Sequence, residues 1–174
     1  MPNGLIRVLG VDPGLASVGW GVVDTDGARL FYRGHGCLAT RAGADMAARI
    51  ASIRDGLVAV LDEYSPQEIA MEGLFFSRNV TSAMAVAEVR GALRLAFHDR
   101  GLAQAEYLPN AVKKAACGSA AAGKADVQAF IKMVLGLAEV PKPDHAADAL
   151  AVAVCHCQSR TFRLQAGSPD SAIK

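Results

Sequence analysis

Two short apolar runs each end on a carboxylate, and this pattern constrains the fold more than any other feature of the chain. Leu5–Val11 runs into Asp12, and Ile69–Met71 runs into Glu72. Apolar runs of this length, bounded by turn residues, read as buried strands. A carboxylate at the end of a buried strand is expensive to keep unless something positive meets it. A third site lies far along the chain, where DHAADAL (144–150) places His145 and Asp148 three residues apart. On a helix those two share one face. Potential ligands from three distant segments point to one shared cation. An oxygen-rich set favours Mg²⁺ or Mn²⁺, ions that commonly drive phosphodiester chemistry.

The rest of the chain reads as an α/β alternation. Residues 5–12, 17–24 and 29–38 form three strands, with Asp12-Pro13-Gly14 and Asp26-Gly27 as turns, so the start is antiparallel. Met46, Ile50, Ile53, Leu57 and Val60/Leu61 recur at helical spacing over 44–63, and Ser65-Pro66 stops that helix. A short strand at 67–72 and an Ala/Val/Leu-rich helix at 80–99 follow. Next come a strand at 103–108, a short helix near 110–117, a small-residue loop at 118–123 and a helix from Lys124 to Leu135. Pro141-Lys142-Pro143 breaks the chain before a last helix over 144–159. That helix continues from Asp148 as ALAVAV, apolar on every side and so expected to be buried. The expectation is one domain over 1–160, a mixed five-stranded sheet with helices on both faces, and a polar, frayed tail over 161–174.

Composition removes several function classes. With 52% apolar residues the chain is compact, yet no stretch reaches the ~20 residues that span a bilayer. The start MPNGLIRVLG lacks the pattern of a signal peptide, so a cytoplasmic location is the default. A net charge of +1 does not announce a nucleic-acid binder, and a local basic patch is required instead. Cys37, Cys117, Cys155 and Cys157 have no paired zinc spacing and read as reduced thiols.

Each candidate ligand has a plainer reading when taken alone. Asp12 before Pro-Gly can cap a turn, and Glu72 can be an exposed strand end. Asp144, directly after Pro143, is placed as a helix N-cap in preference to a ligand. Together, two strand-end carboxylates and the His145/Asp148 pair suit two hard cations about 3.5–4 Å apart. An imidazole among them can bind a metal or handle the proton of an attacking water.

The motifs then resemble one family. VLGVDPGLASVGWGVV (8–23), EGLFFSRN (72–79), VKKAACG (112–118) and PDHAADALAVAVCH (143–156) are similar to the RuvC family of bacterial Holliday-junction resolvases. The resemblance implies a ribonuclease H-like fold and a homodimer that nicks two like-polarity strands of a four-way DNA junction. It implies Asp12, Glu72, His145 and Asp148 as the catalytic and metal-binding set, with Mg²⁺ or Mn²⁺, two per active site. Many members carry Asp where this chain has His145, and an imidazole suits Mn²⁺ better than Mg²⁺. Phe75 matches a family aromatic implied to stack on a base at the crossover, a contact worth ~1–3 kcal/mol. Its plainer reading is a core residue between Leu74 and Phe76. Asn79, Lys113 and Lys124 match family positions, while Arg78 and Lys114 add generic phosphate contacts. The branch-migration proteins RuvA and RuvB are implied partners.

Other classes have weaker support. Gly118–Ala125 follows the P-loop pattern until Ala125 replaces the Mg²⁺-binding Ser or Thr, and a helix precedes it where a strand is needed. An actin- or sugar-kinase-like nucleotide binder shares the early hairpin but requires a second domain. A non-catalytic junction-binding module has no use for all four ligands.

Overall fold

The structure, a computed structural model, describes residues 4–74 and 80–165, with the backbone alone at 80 and 161–165. β1 (Ile6–Asp12), β2 (Ser17–Thr25) and β3 (Leu30–Ala39) form an antiparallel meander. At its second turn the Asp26 carboxylate accepts from the Ala28 and Arg29 amides at 2.9 and 2.7 Å, while Gly27 takes the left-handed φ of 92°. α1 (Met46–Tyr64) opens on Asp45, whose side chain accepts from the Ala48 amide. It ends where the Ser65 amide donates to the Leu61 carbonyl at 2.8 Å, directly before Pro66. β4 (Glu68–Glu72) then pairs parallel to β1, and after α2 (Val80–His98), β5 (Ala103–Tyr107) pairs parallel to β4. α3 (Pro109–Cys117), α4 (Lys124–Val134) and α5 (Asp144–Gln165) follow. The sheet order is β3-β2-β1-β4-β5, the mixed five-stranded sheet expected from the sequence.

Alternation along each strand sorts the side chains into two cores. Leu9, Val11, Val18, Val22, Ile69 and Met71 pack with Ile53, Leu57, Leu93 and Phe97 of α1 and α2. Val8, Val23, Ala70 and Tyr107 pack on the opposite face with α3, α4 and α5. Asp12 is in phase with Val8, and Glu72 with Ala70, so both carboxylates belong to the α5 face.

Two glycines let α5 approach. A Cβ at Gly10 would stand 2.0 Å from the Ala149 carbonyl oxygen, and one at Gly19 1.9 Å from that of His145. The helix backbone therefore rests directly on β1 and β2. From Ala146 to Cys157 every α5 residue except Asp148 is buried, as its all-round apolarity predicts. α5 runs to Gln165, past the end expected near residue 159. The polar segment after 159 holds no Gly or Pro to stop it before Gln165. Arg160 is also tied to the Glu68 carboxylate at 3.0 Å, which fixes the helix beyond its apolar run. The four cysteines are not disulfide-bonded, and burial pushes Cys155 and Cys157 up to about 11 and about 12.

Candidate active site

The strands and α5 bring the predicted ligands together. Val11 pairs with Met71, so Asp12 and Glu72 end adjacent parallel strands side by side. The first turns of α5 cross those ends. His145 Nδ1 lies 2.6 Å from Asp12 Oδ2. Ligand atoms of Asp12, His145 and Asp148 all fall within 4.8 Å of one another. Asp12 is buried, whereas the His145 side chain is 49% exposed, so the cluster has a protected floor and an open rim.

Electrostatics show what the cluster lacks. Burial, the hydrogen bond with Asp12 and the charges of Asp12 and Asp148 push the Glu72 carboxyl up to about 8, against a smaller opposing pull from Lys124. Burial also raises Asp148, although its ion pair with Lys124 opposes the shift. The chain thus crowds more carboxylates than its own cations neutralise. A donor set of oxygens and one imidazole, short of positive charge, fits a divalent cation.

Lys124 opens α4, where the Gly123 amide donates to Asp126 Oδ2 at 2.9 Å. Its ammonium bridges Asp148 at 3.0 Å and Asp144 at 3.2 Å. Burial works against that charge, but the two carboxylates outweigh it and hold the lysine protonated. Asp144 departs from the expected N-cap role. The Pro143 carbonyl accepts from Ala146 and Ala147, so Asp144 stands inside the first turn. Its carboxylate is used by Lys124 and by Gln128 Nε2 at 3.2 Å, which hold it below the usual carboxylate range.

A cavity of about 260 Å³ adjoins the cluster, with Lys113 and Lys124 facing Glu72 and Asp148 over an apolar floor that includes Val112 and Val127. Lys113 and Lys124 are therefore brought together as expected. Lys114 is exposed on α3 and does not line this cavity. Phe75, Arg78 and Asn79 lie outside the described residues. Gln128 and the Asp144–Lys124 bridge were not foreseen. The near-P-loop stretch follows α3, not a strand, and Gly118 ends that helix with φ 73°.

A family model described as crossover junction endodeoxyribonuclease RuvC matches residues 8–156. The chain belongs to the RuvC family. Among RuvC relatives, that of Pseudothermotoga lettingae is 45% identical over 155 residues, covering 89% of this chain and 96% of its own. The Thermotoga maritima RuvC is 43% identical over 162 residues, covering 92% and 96%. A solved Thermus thermophilus RuvC, in complex with Holliday junction substrate, is 32% identical with a TM-score of 0.86, covering 90% of this chain and 96% of that one. The yeast mitochondrial Holliday junction resolvase shares the fold at 14% identity, with a TM-score of 0.67 over 93% of this chain and 82% of its own. RuvC membership over most of the chain removes the nucleotide-binding readings.

Proposed function

We propose that this RuvC-family chain is a metal-dependent endonuclease that resolves four-way DNA junctions by paired symmetric nicks during recombination and repair. The observation that carries the reading is the convergence of Asp12, His145 and Asp148 within 4.8 Å, beside the Glu72 that ends the adjacent strand. Asp12, Glu72, His145 and Asp148 would hold Mg²⁺ or Mn²⁺, two per site. Such ions supply Lewis-acid neutralisation of a phosphodiester and a more acidic water.

The chain's own residues do the rest. Asp12 orients His145 through their 2.6 Å contact. That leaves Nε2 of the exposed imidazole either to ligate a metal or to handle the proton of the attacking water. Lys113 and Lys124 offer phosphate contacts at the cavity mouth, with Lys114 and Arg78 as outer ones. Phe75 stacks on an unpaired base at the crossover, and Asn79 contacts the DNA beside it. The active form is a homodimer, a reading supported by Met84 and Leu95, exposed at 64% and 61% on α2. RuvA and RuvB are the proposed partners, and the cytoplasm is the proposed place of action. Among the described residues no helix is long and apolar enough to cross a membrane.

The test is nicking of a synthetic four-way junction with and without divalent metal. Asp12→Asn, Glu72→Gln and Asp148→Asn should each abolish nicking and leave junction binding in place, because binding rests mainly on basic and aromatic groups. Wild-type cutting by Asp12→Asn refutes the assignment. Mn²⁺ should outperform Mg²⁺, and His145→Asp should narrow that gap.

A further inference from the structure

We infer that Arg90 is a positioning residue for Glu72, acting from the opposite face of the sheet. α2 packs on the face away from α5, and its buried stripe includes Val89, Leu93 and Phe97. Arg90 sits within that stripe and is only 7% exposed. A buried guanidinium is kept where its hydrogen bonds are well met. Arg90 Nη1 donates to the backbone carbonyl of Glu72, and Nη2 pairs with Glu106 Oε2 at 2.9 Å. Glu106 is held in turn by Arg94. On the next residue, the Gly73 amide donates to the Tyr107 carbonyl at 2.8 Å.

The end of β4 is therefore pinned on both sides of the Glu72–Gly73 peptide. Glu72 needs such support. Its carboxyl is hydrogen-bonded with that of Asp12 on the adjacent strand. Parallel pairing on β4 ends at Glu72↔Tyr107, so the ladder holds this residue from one direction only. A cation fixed to the Glu72 carbonyl sets where the Cα, and hence the carboxylate, stands relative to Asp12. Partners that orient a metal ligand typically change metal affinity or activity 10–100-fold when removed.

The inference rests on the proposed metal-dependent nicking, and its test separates the two. Wild type, Arg90→Gln, Arg90→Lys and Glu106→Gln are compared by single-turnover nicking of a four-way junction and by Mn²⁺ binding, read from the electron paramagnetic resonance of free Mn²⁺. Junction binding is measured without metal, and folding by thermal melts. Arg90→Gln should weaken Mn²⁺ binding and slow nicking ~10–100-fold with junction affinity unchanged. Arg90→Lys, which can still donate to the Glu72 carbonyl, should recover part of both. Unchanged Mn²⁺ affinity and nicking in Arg90→Gln overturn the inference. Lost junction affinity at normal Mn²⁺ affinity also overturns it, because Arg90 would then be a DNA contact. If Arg90→Gln does not fold, Glu106→Gln decides: reduced Mn²⁺ affinity supports the role, and wild-type affinity overturns it. A wild-type chain that neither binds Mn²⁺ nor nicks overturns the functional reading itself.

Discussion

Replacing Glu72 by Gln should stabilise the metal-free protein, and increasingly so as pH rises. Burial and the neighbouring Asp12 and Asp148 carry this carboxyl from 4.5 to about 8. The sign follows from proton counts. Between those two values the folded chain holds a proton that the unfolded chain has released, so stability falls as pH rises. Each pH unit inside the window is worth about 1.4 kcal/mol. The cost of Glu72 to the fold is then about 2 kcal/mol at pH 6 and roughly 4–5 kcal/mol at pH 9, where it levels off. The substituted glutamine carries no proton to lose and keeps nearly the same shape. The gap in melting temperature between Glu72→Gln and wild type should widen by roughly 5–10 °C from pH 6 to pH 9. The assay is a series of thermal melts in EDTA across that range. Saturating Mn²⁺ should narrow the gap, since a ligand at 100 times its Kd adds about 2.7 kcal/mol to the form that binds it. Melting curves that stay parallel from pH 6 to pH 9 would refute the reasoning, because Glu72 would then ionise as freely in the folded chain as in water.

The opposite sign applies to Glu68. Its hydrogen bond from His156 at 2.7 Å offsets burial and, with Arg160, holds it at about 2. That stability is present above pH 4.5 and is lost as pH falls toward 2. Glu68→Gln should lower stability by about 2 kcal/mol at pH 7 and by much less near pH 2.5, measured by urea unfolding. Gly19→Ala should cost about 1–3 kcal/mol and weaken Mn²⁺ binding, because its Cβ would lie 1.9 Å from the His145 carbonyl and push α5 away. Gly91→Ala, with nothing within 4 Å, should gain about 0.5–1 kcal/mol and leave Mn²⁺ binding unchanged. Equal effects of the two substitutions on calorimetric metal binding would show that the approach of α5 does not set the site.

Much of the site is legible because its signals are local. Asp12 and Glu72 continue the alternation of their strands, so the face they share can be read once the strands are placed. His145 and Asp148 are close because a helix repeats, and no tertiary information is needed. Contacts that depend on packing were hidden. Arg90 lies in an Ala/Val-rich helix, where an Arg reads as part of a solvated face. Its place in the buried stripe with Leu93 was the signal that sequence reasoning passed over. Asp144 was read as a cap because it follows Pro143, whereas the Pro143 carbonyl itself receives the first helical bonds. Lys124 was placed correctly near the site, but its bridge to Asp144 depends on how α4 lies against α5. The end of α5 was missed because polarity was taken as fraying, while Arg160 has a fixed partner in Glu68.

The placement of α5 has a consequence for biosynthesis. It is the last of the described elements, and it delivers two of the four proposed ligands to a strand 133 residues earlier. A nascent chain can pair β1 to β5 long before that helix exists. Until then it has no assembled cluster and cannot cut the DNA around it. Over the same interval the sheet face carrying Val8, Gly10 and Ala70 lacks the helix that rests directly on it. Products stalled before residue 144 should therefore be inert as nucleases yet prone to self-association, a hazard that ends only when α5 settles onto its glycine seam.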